Sequence, residues 1–431
     1  MDYKQMYRDK TVSVEEALSK IKNGDVIFSA LAAQEPVKLL SNLHTIADRI
    51  DNVTIDNAIG LNKFPFLNDE QYADKFTIDG LFFMAPARDS HAKRLLSTVP
   101  GHLHNQALRW REYHKPNVFL GAVSAMDEHG YMRFSLSNVA EKDAAEECEL
   151  VIVEVNPNLP LVYGDTEIHI SEIDYLVEAP MPVFTLEPGT PSPEEMTIGQ
   201  YVSELVEDGS TIQLGIGGIP DAAAMAFMNK RDLGVHTELL TNSIVDLVEA
   251  GVITNRKKTY FKGKMVATFA LGSQRLYDMM HNNPAVCIMR GPYVNNPFNI
   301  AKNDKMISIN SAVEVDLTGQ IASEAIGTRT YSGSGGQNDT AEGAIHSKGG
   351  KSIIALRSTA KNGTISTIKP VLSLGAVVTM SRNNIDYIVT EFGIAPMRGR
   401  SVVERIENLI AIAHPDFRAE LRKGVEAYKI W

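Results

Sequence analysis

Short apolar, β-branched runs alternate with helical patterns along most of this chain, and this alternation limits the fold more than any other feature. The strand-like runs are Val118–Val123, Leu150–Val155, Ser352–Leu356 and Tyr387–Val389. The helical patterns are Val14–Ile21, Met196–Val206, Ile244–Ala250 and Val402–Ile412. Buried strands that alternate with helices predict an α/β fold with parallel or mixed sheets. In such folds ligands usually bind beyond the carboxyl ends of the strands.

A proline-rich segment divides the chain. With 431 residues the chain exceeds what one core usually supports, so two domains are expected. Residues 187–193 hold three prolines and one glycine, which oppose both helix and strand. We therefore predict a first domain at 1–186, a linker at 187–195 and a second domain at 196–431. Both halves begin with helix, strand, small-residue turn and proline, which favours two related domains over chance similarity.

Composition excludes several classes of protein. The chain is 44% hydrophobic and 22% charged, as in average soluble proteins. A formal charge of −11 opposes nonspecific binding to nucleic acid or to an anionic membrane. The two cysteines, Cys148 and Cys287, form no C-x-x-C motif, so we expect a reducing cytoplasm and no disulfide framework. A signal-peptide pattern and a long apolar run are both absent from the sequence, so we expect no membrane anchor.

A glycine-rich turn, Gly215–Pro220, is followed by a lone carboxylate, Glu238. Glu238 follows a short strand candidate, and we expect Asn242 or Ser243 to cap the next helix, which Gly251 ends. This order places the carboxylate at the rim where strands end. One interpretation is structural, with an ordinary turn and a solvated charge.

Two further interpretations give the turn a function. In a dinucleotide site, Gly215 and Gly217 would begin a G-x-G-x-x-G motif, but Pro220 stands where the third glycine belongs. In covalent catalysis, Glu238 would attack an acyl thioester, and the amides of Gly217 and Gly218 would hold the oxyanion. The sequence has no pair of histidines at helical spacing with a carboxylate partner and no G-x-S-x-G elbow. A catalytic metal and a serine thioesterase are therefore disfavoured.

Ordered sequence blocks over nearly the whole chain carry a family resemblance. They are Val123–Tyr131, Glu154–Asn156, Tyr163–Asp165, Ile170–Asp174, Gln213–Pro220, His236–Leu239, Asn310–Asp316, Gly333–Gln337, Arg398–Ser401 and Ile412–Phe417. With these blocks the chain resembles the acetyl-CoA hydrolase/transferase family, in its 4-hydroxybutyrate and butyrate CoA-transferase branch. The resemblance implies two similar open α/β domains of the CoA-transferase, NagB/RpiA-like type, packed face to face. The first would serve the acyl or carboxylate side, and the second would carry the catalytic glutamate.

The resemblance also implies an activity. It is the transfer of CoA between short-chain carboxylic acids, such as 4-hydroxybutyrate, butyrate and acetate, through a glutamyl-CoA thioester. Coenzyme A and acyl-CoA would be substrates, with no cofactor bound permanently. Homo-oligomerisation as a dimer or a dimer of dimers is expected. An acyl-CoA hydrolase that uses the same glutamate and a non-catalytic metabolite-binding protein remain alternatives.

Residue roles follow from the matched blocks. Glu238 matches the catalytic glutamate, and Asn296 matches an asparagine beside it. The resemblance implies CoA contacts at Gln213, Leu214, Gly215, Ile216, Gly217, Gly335 and Gly336, and Val313 would line the CoA channel. Lys361 is the first candidate for the CoA phosphates, ahead of Arg398 and Arg400. The small apolar segment Ala30–Pro36 suits a short aliphatic acid, with Gln34 as its polar group.

Overall fold

The computed structural model describes residues 2–431, which form two compact units. Unit 1 contains the chain up to Leu186 together with Ala267–Tyr293, and unit 2 contains Glu187–Val266 and Val294–Trp431. The sequence assigned Ala267–Tyr293 to the second domain, and the structure differs. Backbone bonds explain why, since Ala270 N donates to Leu136 O and Asp165 N donates to Ile288 O. Such long-range pairing leaves no mark in the local sequence pattern.

The helices are short, and several have strong caps. In chain order they are α1 (Tyr3–Lys10), α2 (Val14–Leu18), α3 (Val37–Asn42), α4 (Pro65–Asn68), α5 (Ala85–Ala92), α6 (Leu103–His114), α7 (Glu141–Glu147), α8 (Pro193–Glu204), α9 (Gly218–Ala226), α10 (Asn242–Glu249), α11 (Gln274–Met280), α12 (Gly291–Val294), α13 (Pro297–Ile300), α14 (Gln337–His346), α15 (Val402–Ile412) and α16 (Pro415–Ala427). Capping boxes begin α8 at Ser192 and α15 at Ser401. No helix within residues 2–431 is both long and apolar enough to span a bilayer.

The strands are likewise short, as expected for an α/β fold. In chain order they are β1 (Val26–Ser29), β2 (Val53–Ala58), β3 (Phe76–Phe82), β4 (Ser97–Thr98), β5 (Val118–Val123), β6 (Tyr131–Arg133), β7 (Leu150–Val155), β8 (Glu167–His169), β9 (Tyr175–Glu178), β10 (Thr211–Leu214), β11 (Gly234–Val235), β12 (Leu239–Leu240), β13 (Met265–Ala267), β14 (Phe269–Ala270), β15 (Val286–Ile288), β16 (Met306–Ser311), β17 (Glu314–Asp316), β18 (Ile321–Ala322), β19 (Ala325–Ile326), β20 (Arg329–Thr330), β21 (Lys351–Ala355), β22 (Thr359–Ala360), β23 (Ile365–Ser366), β24 (Ile368–Lys369), β25 (Tyr387–Thr390) and β26 (Gly393–Pro396). Half of them belong to two larger sheets.

Unit 1 is built on a seven-stranded parallel sheet in the order β4-β3-β2-β1-β5-β7-β9. Both faces of this sheet are covered. On β5, Val118 and Leu120 belong to one apolar cluster, whereas the alternating Phe119 and Val123 belong to another. Burial on both faces explains why β5 reads as a continuous apolar run.

Unit 2 is built on a six-stranded sheet in the order β11-β10-β16-β21-β25-β26. Its strands are parallel except for the hairpin of β25 and β26. Because parallel neighbours end at the same edge, the segments after β10, β11 and β16 share that edge. These segments hold the glycine turn, Glu238 and Val313 respectively. The fold therefore gathers the predicted site residues of this unit at one rim.

Candidate active site

Glu238 lies just beyond the end of β11, at the carboxyl edge of the unit 2 sheet. The backbone that carries it is held by its neighbours, since His236 N donates to Ile212 O and Thr237 N donates to Val266 O. His236 and Thr237 are each 1% exposed, whereas Glu238 keeps some accessible surface. The segment after β11 is therefore buried except at Glu238, whose carboxylate remains partly accessible.

Two N–H donors hold the Glu238 carboxylate. The Nδ2 atom of Asn295 donates to Oε2 over 2.9 Å, and the backbone N–H of Gly336 donates as well. Gly336 immediately precedes α14, a helix of ten residues, and is its N-cap. A helix N-terminus carries a partial positive charge and favours an anion. The carboxylate therefore lies in a preformed anion-stabilising position.

Burial outweighs these donors in setting the protonation of Glu238. Burial raises its pKa to about 7, the Asn295 bond lowers it, the charge of Asp339 raises it, and the Gly336 bond lowers it. At neutral pH the carboxyl group is thus divided between its neutral and ionised forms. A pKa near the working pH is typical of side chains that act as catalytic acids, bases or nucleophiles.

Gly336 is required by the space around the carboxylate. A Cβ atom at this position would collide with the Nδ2 atom of Asn295 and with Oε2 of Glu238. The backbone φ of Gly336 is −95°, which other residues also adopt. The need for glycine here is therefore steric, because the main chain approaches the carboxylate closely.

The structure corrects one predicted contact. Asn296 does not present its amide to Glu238; its side-chain oxygen accepts from Phe298 N and caps α13, which begins at Pro297. The preceding residue, Asn295, contacts the glutamate instead. A sequence signal could have given this result, because asparagine directly before proline at the first helical position is a favoured N-cap. That pattern assigns Asn296 to the helix and leaves Asn295 for the site.

The glycine turn lies at the same rim as Glu238 but has a mixed structural role. Gln213 is buried, and its side-chain oxygen accepts from Ile309 N and Ser308 Oγ on the neighbouring strand. Leu214 is buried in the core, whereas Ile216 is 46% exposed. Gly217 has a φ of +122°, which favours glycine, and the space around its α-carbon is open. The turn therefore offers exposed backbone at Gly215–Gly217 while Gln213 braces the sheet.

The remaining predicted CoA residues lie in loops and turns of unit 2. Gly335 is buried beside Gly336, with a φ of +51°, and Val313 is half-buried after β16. Lys361 is exposed at the turn of the β22–β23 hairpin, also with positive φ. Arg398 pairs with Asp386, and Arg400 pairs with Glu404 over 3.3 Å. Both arginines thus already take part in ion pairs within unit 2.

In unit 1 the segment Ala30–Pro36 is tightly packed. Gln34 is fully buried; its Nε2 atom donates to Ala122 O, and its Oε1 atom accepts from Leu136 N over 2.8 Å. The expectation that Gln34 is a polar group for the substrate is therefore wrong, since both ends of its amide are bonded to the main chain. Glu35 is also buried, and burial raises its pKa to about 7.

Two residues that the sequence analysis did not single out belong to the Glu238 site. His236 is buried, and its ring contacts Val294 O and Asn303. Gln337 is the first residue of α14; its Nε2 atom, like Oδ1 of Asn295, is buried without a hydrogen-bond partner within residues 2–431. Within the same residues no group of three or more His, Cys, Asp or Glu side chains could hold a metal ion.

Comparison with known proteins gives matches over nearly the whole chain. Residues 1–187 match the acetyl-CoA hydrolase/transferase N-terminal domain, and residues 272–425 match the C-terminal domain of the same family. The chain is 44% identical to the 4-hydroxybutyrate coenzyme A transferase of Clostridium kluyveri over 422 residues, 98% of each chain. It is 43% identical to the succinyl-CoA:cyclohexane-1-carboxylate CoA transferase of Geobacter metallireducens, over 98% of this chain and 96% of that protein.

Solved structures agree with these sequence matches. RipA from Yersinia pestis superposes with a TM-score of 0.95 at 34% identity, and the match covers 100% of both chains. The 4-hydroxybutyrate CoA-transferase of Porphyromonas gingivalis superposes with a TM-score of 0.83 at 35% identity, over 99% of this chain and 100% of that chain. The α/β fold predicted from the sequence is confirmed.

Proposed function

The chain belongs to the acetyl-CoA hydrolase/transferase family, and from this premise we propose that it transfers CoA between short-chain carboxylic acids. The acids that we propose are acetate, butyrate and 4-hydroxybutyrate. Two curated relatives that match almost the full chain are CoA transferases. Their names carry different acids, so the preferred acid of this chain has to be measured.

One observation carries the proposal: the carboxylate of Glu238 is largely enclosed, has a pKa raised to about 7, and accepts two N–H bonds. A solvated surface charge would have neither the raised pKa nor two fixed donors. The arrangement fits a nucleophile, because burial removes water that would otherwise weaken the attack, and the donors fix the direction of the carboxylate.

In the proposed first step an ionised oxygen of Glu238 attacks the thioester carbon of a donor acyl-CoA. The C–S bond breaks, the CoA thiolate leaves, and a mixed anhydride forms on Glu238. The thiolate then attacks the Glu238 carbonyl carbon, and the donor carboxylate leaves with the electrons of the C–O bond. The product is a glutamyl-CoA thioester, from which an acceptor carboxylate regenerates the enzyme by the reverse steps. This sequence predicts ping-pong kinetics.

The donors at Glu238 suit the second attack in particular. When the thiolate adds to the Glu238 carbonyl, negative charge develops on a carboxyl oxygen of this residue. The Asn295 amide and the Gly336 N–H already point at that group. A donor that stabilises such an oxyanion contributes about 3–4 kcal/mol to lowering the barrier. We propose that these two groups form the oxyanion site and that the amides of Gly217 and Gly218 serve the donor thioester.

Two unpaired polar atoms support a polar ligand at this rim. Oδ1 of Asn295 and Nε2 of Gln337 are buried without a partner within residues 2–431. An unpaired buried polar atom costs about 1–3 kcal/mol. We propose that polar groups of the bound acyl-CoA pair with them, together with backbone at Gly215–Gly217 and Gly335, and that Val313 and Lys361 contact the remainder of the CoA.

The decisive experiment replaces Glu238. Exchange between an acyl-CoA and acetate should fall by at least about 10³-fold in Glu238→Ala, and Glu238→Asp should be nearly as poor because the oxygen retracts by about 1 Å. Reduction with borohydride in the presence of acyl-CoA should trap the thioester at Glu238, seen by mass spectrometry of the peptide. Exchange that survives in Glu238→Ala would remove the mechanism, whereas absence of exchange in the unaltered protein would favour a binding protein.

Hydrolysis by the same glutamate is the competing outcome, and it can be separated from transfer. Loss of the donor acyl-CoA, formation of the new acyl-CoA and release of free CoA are measured with and without acetate, then with butyrate, 4-hydroxybutyrate, propionate, succinate and cyclohexane-1-carboxylate. Turnover that requires an acid and gives a new acyl-CoA indicates a transferase, whereas equal turnover without an acid, with release of free CoA, indicates a hydrolase. The same panel identifies the preferred acid.

We further propose that the protein acts in the cytoplasm as a homodimer or a dimer of dimers. Cys148 and Cys287 are not joined in a disulfide, which supports a reducing compartment. Light scattering coupled to size-exclusion chromatography measures the oligomeric state, and a monomer at micromolar concentration would contradict the second part of this proposal.

A further inference from the structure

The imidazole of His236 links the two segments that meet at Glu238. Its Nε2 atom lies 2.8 Å from Val294 O, and its Nδ1 atom lies 3.3 Å from Nδ2 of Asn303. A carbonyl only accepts, so Nε2 carries the hydrogen and Nδ1 accepts from the Asn303 amide. His236 precedes Glu238 by two residues, and Val294 directly precedes Asn295. The ring therefore bonds the glutamate segment to the asparagine segment.

These bonds close a ring of interactions around the catalytic carboxylate. One path runs along the backbone from His236 to Glu238, and the other runs through Val294 O to the side chain of Asn295. The paths meet at the 2.9 Å bond from Asn295 Nδ2 to Glu238 Oε2. Since both bonds end on adjacent residues, a shift of the Val294 carbonyl would carry the Asn295 amide with it.

The segment around Asn295 has little regular structure of its own. It lies between α12 and α13, helices of four residues each, and Val294 is the last residue of α12. A carbonyl at the end of a helix has no partner inside that helix. His236, which directly follows β11 of the six-stranded sheet, supplies a partner. The position of Asn295 thus depends on a bond from outside its segment.

The surroundings keep His236 in one chemical form. It is 1% exposed, and burial together with the charge of Lys258 lowers its pKa to about 3. The Lys258 ammonium is itself fixed, because it donates to Val235 O over 2.6 Å and to Lys264 O over 2.8 Å. A ring that stays neutral is a poor proton donor for chemistry at neutral pH but a constant hydrogen-bonding brace.

We propose that His236 is a positioning residue, which holds the Val294 carbonyl so that the Asn295 amide stays directed at Glu238. The inference rests on the proposed role of Glu238. It assigns His236 no contact with substrate, since its two ring nitrogens are both bonded within the protein. Its effect on the reaction passes through Asn295.

Three variants of His236 test the proposal. His236→Leu removes the donor at similar volume, and kcat should fall about 10–100-fold with KM for acyl-CoA changed less than about threefold. His236→Gln places an N–H near the original Nε2 position and should restore most of kcat. If the leucine variant does not fold, His236→Asn replaces it, because its amide is too short to reach Val294 O. Folding is checked by circular dichroism and by Tm.

A double-mutant cycle distinguishes positioning from a general structural effect. If His236 acts through Asn295, the double variant His236→Leu with Asn295→Ala should be within about threefold of Asn295→Ala alone. Losses that multiply would overturn the proposal.

Both single variants should also move the acidic limb of kcat/KM to higher pH, because the Asn295 bond favours ionised Glu238 while Asp339 opposes it.

Two controls complete the test. His91 also bonds a backbone carbonyl, with Nδ1 3.0 Å from Leu96 O, and His91→Leu in unit 1 should leave kcat unchanged. Glu238→Ala separates the two levels of inference. Activity in that variant refutes the proposed function itself. An inactive Glu238→Ala together with a fully active His236→Leu refutes only the positioning role.

Discussion

At Glu238 two opposing effects decide what one carboxyl group can do. Burial favours the neutral acid, and the donors from Asn295 and Gly336 favour the anion, which leaves the pKa near 7. Because only the anion can attack, kcat/KM for CoA exchange should fall tenfold per pH unit below about pH 7 and level off above it. The rate is measured from pH 5 to pH 9 with a fixed acyl-CoA. A rate independent of pH over that range would contradict the assigned nucleophile.

At Gly336 the addition of a single methyl group should abolish most activity. In Gly336→Ala the new Cβ collides with the Glu238 carboxylate and the Asn295 amide, so we expect a loss of about 10²-fold or more in kcat. Gly189→Ala is the matched control, since a Cβ there meets no atom within 4 Å. Equal activity of the two variants in an exchange assay would show that the close approach of the Gly336 backbone to Glu238 is not needed for catalysis.

Adjacent asparagines should give opposite results. Asn295→Ala removes a donor to Glu238, so kcat should fall about 10²–10³-fold with little change in Tm. Asn296→Ala removes the cap of α13, which costs about 1 kcal/mol of stability and should leave kcat within about threefold. We would measure kcat and Tm for both variants. If Asn296→Ala were the less active of the two, the asparagine matched by family resemblance would be the catalytic one after all.

Among the elements, the segment Ala267–Tyr293 depends on a cluster of ion pairs within unit 1. Arg290 contacts Asp143 at 2.5 Å, Glu146 at 2.8 Å and Asp165 at 2.6 Å, with 24% of its side chain exposed. Arg290→Met removes a cation shared by three carboxylates, of which Asp165 keeps Lys142 and Asp143 keeps Arg111. The free energy of unfolding should therefore fall by about 1–3 kcal/mol.

The control for Arg290 is an exposed ion pair in the same unit. Arg109 contacts Glu112 at 2.6 Å, but the two side chains are 70% and 51% exposed. Arg109→Met should therefore change stability by less than about 1 kcal/mol. Tm is measured by calorimetry for both variants at low and high salt. A larger drop in Tm for Arg109→Met than for Arg290→Met would mean that burial does not determine how much these ion pairs stabilise the protein.

Local patterns predicted single elements well. The strands Val118–Val123 and Leu150–Val155 and the helix Val402–Ile412 have the bounds expected from the sequence. Burial on both faces leaves a continuous apolar run in a strand, and burial of one stripe leaves a periodic pattern in a helix. The helix predicted from Ile244 begins two residues earlier, at Asn242, with Thr241 as its N-cap. Helix ends depend on backbone geometry that residue type alone does not fix.

The site was predictable in part. The glutamate and the glycine segments follow from matched blocks. The asparagine that contacts Glu238 is Asn295 and not the predicted Asn296, which caps α13. Gln34, predicted to face the substrate, is bonded to the main chain instead. His236 could not be singled out, since its importance lies in the Val294 carbonyl, which is 58 residues away in sequence. Contacts of this kind arise from tertiary packing and have no local signature.

For the whole molecule, buried carboxyl groups should set the pH dependence of stability. Burial raises the pKa of Glu35 to about 7 and that of Glu154 to about 8, and it raises those of Asp56 and Glu141 as well. The folded protein therefore binds more protons than the unfolded chain above about pH 4.5. The free energy of unfolding should consequently fall as pH rises from about 4.5 to 8.

Thermal unfolding measures this slope. We expect Tm to be lower at pH 8.5 than at pH 6, and Glu154→Gln should reduce the difference because the replaced group no longer ionises. A surface carboxylate variant, Glu112→Gln, should leave the difference unchanged. A Tm that rises over the same interval would show that these acids are ionised in the folded protein without cost.

Because unit 1 takes in Ala267–Tyr293, its strands and helices are not complete when residue 186 has been made. Synthesis of residues 187–293 takes roughly 5–20 s at ordinary translation rates. During that interval the nascent unit lacks the strand and ion pairs contributed by Val286–Arg290. A gene fragment that stops at 186 should therefore give an insoluble product. A split version of the protein should keep residues 187–293 on the same fragment as residues 1–186.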